Sequence, residues 1–214
     1  MKHHAFRTKT VAALAASALV LASCASSGKG EPVPTGMYGM IYDRDGAPVA
    51  GAELIVDGSP AAVSDSGGRF HLDALAIGEH ALEARKRGFE TYSGAFGFRS
   101  GSDVLYVKIV SAAWLLDEAE AAAARRDWSA SIRATERVLA IAPDDPVAAF
   151  LLGVQALLAP GAEGLAPRAV ELLEKAAARG ERESSLFLLL AELYEKRMDD
   201  GESARRWRTM AIKP

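Results

Sequence analysis

The chain has 214 residues, 50% apolar and 25% charged, enough to bury one or two small cores and too apolar to stay disordered. Its single cysteine excludes a disulfide framework and any cysteine-built zinc site. Nine prolines and nineteen glycines exclude one long coiled coil, and a net charge of −3 argues against nucleic acid as the main partner.

Met1 to Thr10 carries Lys2, Arg7 and Lys9 and no acid, and Val11 to Ser23 is an unbroken run of apolar or small residues. A basic start followed by a short apolar run reads as a secretory signal peptide, the run being too short to span a bilayer comfortably. It ends in Leu21-Ala22-Ser23-Cys24, which resembles the lipobox of bacterial lipoproteins. The resemblance implies that Cys24 receives a diacylglyceryl group and, after cleavage before it, a third acyl chain such as palmitate. Each buried methylene contributes about 0.8 kcal/mol, so two or three chains anchor a protein stably where one does not. The plainer alternative is an ordinary export signal with a chance cysteine. Residue 25 is alanine, not the aspartate associated with inner-membrane retention, which favours the outer membrane, facing the periplasm. Ala25 to Thr35 is rich in Ser, Gly and Pro and reads as a flexible tether.

Composition changes near residue 111, from strand and turn patterns to alanine- and leucine-rich helices. Strands first and helices after predict separate β and α domains. The expected division is 1–23 signal peptide, 24–35 tether, 36–110 β-sandwich and 111–214 helical repeats. In the strand half, Met37 to Asp43 alternates and runs into Asp43-Arg44-Asp45-Gly46, a hairpin signal. Ala47 to Val56 forms a second strand behind Pro48, and Ser64 to Leu72 a turn and strand. Gly78 to Ala84 follows, Gly88-Phe89 closes a turn, and Val104 to Val110 is the last strand.

The order Gly39, Ile41, Asp43, Gly46, Pro48, Val49, Gly51, Ala52, Asp65, Gly68, Phe70, Leu72, Leu75, Gly78, Leu82, Gly88 and Phe89 resembles the carboxypeptidase regulatory-like family. That resemblance implies a transthyretin-like Greek-key sandwich used as a non-catalytic accessory, spacer or docking module. His71 and His80 lie in strands with no third ligand, so no metal is expected. Asp43 to Gly46 lacks the later acidic ligands of a calcium loop and reads as a turn.

In the helical half, similarity recurs at a period of about 34 to 38 residues. Leu152-Gly153, its echo at Leu190-Ala191 with Tyr194, Asp127 to Ile132, and Val138 to Pro143 resemble tetratricopeptide repeats. Three divergent repeats are expected near 112–143, 146–180 and 184–213, with Pro160 to Gly164 inserted in the middle one and Ser131 where the family favours alanine. Stacking such pairs leaves a curved inner surface lined by the first helix of each. The family pattern puts Leu116, Asp117 and Glu120 there, then Val147, Phe150, Leu151, Val154 and Leu158, then Leu188, Leu189, Glu192 and Lys196. The partner-binding residues are expected to be Phe150, Leu151, Val154, Leu158, Leu188 and Glu192. An exposed apolar stripe of this kind marks a partner site, unless the sandwich or the last helix covers it. Arg205, Arg206 and Arg208 form a basic cluster that either faces solvent or meets anionic lipid.

No Gly-x-Ser-x-Gly, phosphate loop or His/Cys metal spacing is present, so neither catalysis nor a cofactor is expected. The expected function is a membrane-anchored envelope scaffold whose repeats bind a segment of another envelope protein. The alternative is a glycan- or peptidoglycan-binding accessory using Tyr38, Tyr42, Phe89, Tyr92, Phe96, Phe98 and Tyr106 of the sandwich as stacking platforms.

Overall fold

The computed structural model describes residues 35–212, which lie in one compact unit. Cys24, the expected signal peptide and nearly all of the expected tether lie outside the described residues; Thr35, expected in the tether, already opens the first strand.

Seven strands make two sheets. β1 (Thr35–Tyr42), β4 (Arg69–Leu75) and β7 (Val104–Lys108) form one in the order β4-β1-β7, with β1 and β7 parallel. β2 (Glu53–Val56), β3 (Ser59–Val63), β5 (Gly78–Arg85) and β6 (Tyr92–Phe98) form the other, antiparallel, in the order β3-β2-β5-β6. The facing sheets enclose Ile41, Leu54, Leu72, Phe98, Val107 and Ile109, all essentially without solvent contact.

The expected hairpin at Asp43 is a turn that closes on a single bridge. Asp43 Oδ1 accepts from the backbone N–H of Asp45 at 3.0 Å and Ala47 at 2.8 Å, and only Tyr42 and Pro48 then pair. The chain passes to the other sheet through Gly51, whose φ of 65° suits glycine, so the expected strand over Ala47 to Val56 begins only at Glu53. Buried Ser64 fixes this passage: its hydroxyl donates to Val49 C=O at 2.6 Å and accepts from Ala52 N–H at 2.9 Å. Strands β3 and β6 add to the set expected from the sequence.

Six helices follow: α1 (Ala112–Ala124), α2 (Trp128–Ile141), α3 (Pro146–Leu158), α4 (Ala166–Ala178), α5 (Ser184–Lys196) and α6 (Gly201–Ile212). Their starts follow capping chemistry. Ser111, Asp127 and Asp145 each accept a backbone N–H from the first turn of α1, α2 and α3. Consecutive helices pair as hairpins, and α3 also packs on α5, the arrangement of stacked helix pairs. Leu115, Val138, Leu152, Leu173, Leu190 and Leu193 are the centre of this second core.

Sandwich and helices meet at Ser111, which bridges to Phe89 and also caps α1. Glu90 N–H donates to Val110 C=O at 2.8 Å, and Arg137 on α2 grips the Glu90 carboxylate with two nitrogens at 2.7 and 2.6 Å.

Candidate functional site

On α3, Val147, Phe150, Val154 and Leu158 recur at the three-and-four spacing that sets them on one stripe. Val147 is 44% exposed and Leu158 62%, while Phe150 and Val154 are half-buried. On the neighbouring first helix, Leu188 is 49% exposed. Two features fix α3 beside α5. Gly153 lets them approach, since a Cβ there would sit 2.8 Å from the Leu189 side chain. Arg197, just past α5, donates to the last carbonyls of α3, Ala156 at 2.9 Å and Leu157 at 2.7 Å. Between the helix starts lies a cavity of about 260 Å³ lined by Pro146, Val147, Phe150, Glu181, Glu183, Ser185 and Leu186.

Five of the six expected partner-binding residues lie on this surface, and Leu151 does not. Leu151 is 9% exposed and packs with Ala119, Ala134 and Leu116, filling the joint between α1, α2 and α3. Leu189, also placed on the inner surface by the repeat pattern, is buried as well. Glu192 is half-buried and already engaged, meeting Lys196 at 2.6 Å and Arg208 at 3.3 Å; the Lys196 hydrogen bond first, and then that of Arg208, hold its carboxyl below the usual range. Glu181 and Glu183, which line the cavity beside Val147 and Phe150, form no ion pair among the described residues, so this end of the apolar stripe has an acidic rim.

The expected basic cluster on α6 is partly neutralised. Arg208 is tied to Glu192 and Glu195, and Arg206 lies over the Trp207 ring at 5.4 Å.

The structure pairs two groups that sequence inspection left apart. His80 Nδ1 meets Asp57 Oδ2 at 2.6 Å, and its Nε2 meets the Ala76 carbonyl at 2.7 Å. Asp57 Oδ1 also accepts from Ala81 N–H at 2.9 Å. His80 is 9% exposed and stacks on Phe96. The Asp57 hydrogen bond first, and the Ala76 carbonyl second, raise its pKa despite burial. Both ring nitrogens face acceptors, an arrangement that favours the doubly protonated ring and keeps both nitrogens engaged within the fold. The pair is a structural clamp closing the β2–β3 turn onto β5. Among the described residues no three His, Cys, Asp or Glu side chains gather as a metal site.

Of the aromatic candidates on the sandwich, Phe96 and Phe98 are core residues, and Phe89 and Tyr92 pack against that core. Tyr38 and Tyr106 are exposed on the outer face of the β4-β1-β7 sheet, with Tyr42 ring-to-ring from Tyr106 at 6.4 Å.

The chain is therefore a small β-sandwich followed by a tetratricopeptide-like array of helix pairs. Residues 36–108 match the family model described as the carboxypeptidase regulatory-like domain. No curated protein sequence matches the chain. Among solved structures, the Sgt2 TPR domain from Aspergillus fumigatus is similar at 24% identity, over 48% of this chain and 64% of that one, with a TM-score of 0.41. A type II cohesin–X-dockerin complex from Acetivibrio cellulolyticus is similar at 21% identity, over 36% and 58%, with a TM-score of 0.31. BcpA, the major pilin subunit of Bacillus cereus, is similar at 15% identity, over 36% and 28%, with a TM-score of 0.29. The chain spans less than two-thirds of the length of each of these structures.

Proposed function

We propose that this protein is a non-catalytic scaffold of a bacterial cell envelope, held to the outer membrane by acyl chains on Cys24, whose helical array grips a segment of another envelope protein. The observation that carries the reading is the unpartnered apolar stripe of Val147, Phe150, Val154, Leu158 and Leu188. Stripes of this size facing water mark partner surfaces. The acidic rim suits a segment with an apolar face and basic flanks. The sandwich serves as spacer or docking module, and the Leu21 to Cys24 motif supports the anchor.

The test is co-purification from detergent-solubilised membranes. Leu158→Asp with Leu188→Asp removes a stoichiometric protein partner while leaving the helical circular dichroism unchanged, because both side chains are already largely in water. Retention of the partner by that folded variant refutes the groove. Cys24→Ser moves the protein from the membrane to the soluble fraction; membrane retention refutes the anchor.

A second reading rests on the tyrosine face of the β4-β1-β7 sheet, a platform for stacking sugar rings. Co-sedimentation with purified cell-wall sacculi, lost in Tyr38→Ala with Tyr106→Ala and kept in the groove variant, would establish it in place of the scaffold.

A further inference from the structure

Four strands end the two sheets, and natural sheets guard such edges with proline or charge. Strand β3 carries Pro60, β4 carries Arg69 and Asp73, and β7 carries Lys108. Strand β6 carries no guard: its seven residues, Tyr92-Ser93-Gly94-Ala95-Phe96-Gly97-Phe98, include neither a charge nor a proline.

The direction of its backbone groups follows from its neighbour. Asp57 N–H donates to Ala81 C=O at 3.0 Å, and Ala81 N–H returns to the Asp57 carboxylate, so Ala81 turns its backbone toward β2. Alternation then turns His80 and Leu82 toward β6, where they face Phe96 and Gly94. Ser93, Ala95 and Gly97 therefore aim their N–H and C=O groups away from the sheet. All three are exposed, and β6 pairs with no strand except β5.

We infer that β6 is a self-association edge, pairing antiparallel with β6 of a second copy about a two-fold axis at Ala95. The occupant is a second copy because the strand complements itself in this one register. Ala95 meets its own counterpart, Ser93 meets Gly97, Gly94 meets Phe96 and Tyr92 meets Phe98. Every pair keeps core-side residues with core-side residues, as the pleat requires. The strand's own solvent-side residues are small and uncharged, so within the strand pair no like charges oppose each other; the nearest charge is the Glu79 carboxylate of β5, which lies over Gly97. On the core side, Phe96 of each copy comes beside Gly94 of the other, where it meets the Tyr92 ring that covers this glycine, for a Cβ at Gly94 would stand 2.5 Å from the Tyr92 hydroxyl. The outward groups of Ser93, Ala95 and Gly97 then all find partners, and the two four-stranded sheets become one. A single strand pair buries less than the roughly 1,200 Å² of a stable interface, so the dimer is weak and forms at high local concentration. This inference is independent of the groove reading.

Sedimentation of the full chain from about 10 µM to about 1 mM tests it. Wild type is expected to pass from monomer to dimer over this range. Ala95→Lys and Ala95→Glu, each at an exposed site beside Ala81, are expected to keep the wild-type circular dichroism and remain monomeric. An equimolar mixture of the two is expected to dimerise at least as well as wild type, because the ammonium of one variant would then face the carboxylate of the other across the axis. Leu158→Asp is expected to leave dimerisation unchanged, which separates this surface from the groove. A wild-type chain that stays monomeric throughout, an Ala95→Lys variant that dimerises like wild type, or a mixture of folded variants that fails to pair each overturns the proposal.

Discussion

The joint between the first helix pair and α3 is held by a buried polar knot, and its removal makes a quantitative prediction. Ser131 Oγ donates to Ala119 C=O at 2.8 Å, and Gln155 Nε2 donates to Ser131 Oγ and Thr135 Oγ1, each at 2.8 Å. All three side chains are 0% exposed, and Gln155 Oε1 has no partner. Replacing both acceptors, Ser131→Ala with Thr135→Val, leaves the whole Gln155 amide orphaned in a dry site. Each buried donor left unmade costs about 1–3 kcal/mol, so the double variant loses about 2–4 kcal/mol. Adding Gln155→Leu removes the orphaned amide at nearly equal volume and recovers most of that loss, to within about 1 kcal/mol of wild type. Gln155→Leu alone changes stability little, because relief of the Oε1 orphan offsets the two lost bonds. The resulting coupling between position 155 and its acceptors is about 2 kcal/mol or more. Urea unfolding followed by helical circular dichroism, with the m-value checked for constancy, measures every corner of the cycle. A double variant costing under about 1 kcal/mol, or a triple variant no more stable than the double, refutes the reasoning.

Other consequences follow from single contacts. The His80 clamp carries a pH signature: its pKa is raised in the fold, so its stabilisation is whole below the ordinary histidine value of about 6.5 and fades as pH rises through the folded value. The gap in melting temperature between wild type and His80→Phe is therefore expected to shrink as pH is raised from about 6; a gap that widens contradicts the upward direction of the shift. Arg197→Met keeps the stem but loses both bonds to the α3 carbonyls, and is expected to cost about 1–3 kcal/mol in urea unfolding. Gly153→Val drives branched atoms toward Leu189 and Leu173, at 2.8 and 3.2 Å from even a bare Cβ, and is expected to cost about 1–3 kcal/mol in the same assay.

What the sequence revealed and what it hid divide along physical lines. Helix ends are written in local chemistry: Ser111, Asp127 and Asp145 cap within their own first turn, and Pro143, Pro146 and Gly180 punctuate, so the six helices could be placed by inspection. Strands β3 and β6 escaped because their formation is not local. Ser59–Val63 contains a proline and little alternation, and Tyr92–Phe98 contains two glycines; each becomes a strand by pairing with a stronger neighbour. Leu151 was misplaced because α3 is apolar almost all round, so the letters do not separate Leu151 from its neighbours Phe150 and Val154, and polar Gln155 reads as an outward position when it is in fact buried. Burial decides between them, and it does so through Gln155: the knot with Ser131 and Thr135 pins that face inward, carries Leu151 with it, and turns Phe150, Val154 and Leu158 outward. The departure at Ser131, which reads as a blemish in the repeat pattern, thus helps determine which apolar residues of α3 stay on the surface.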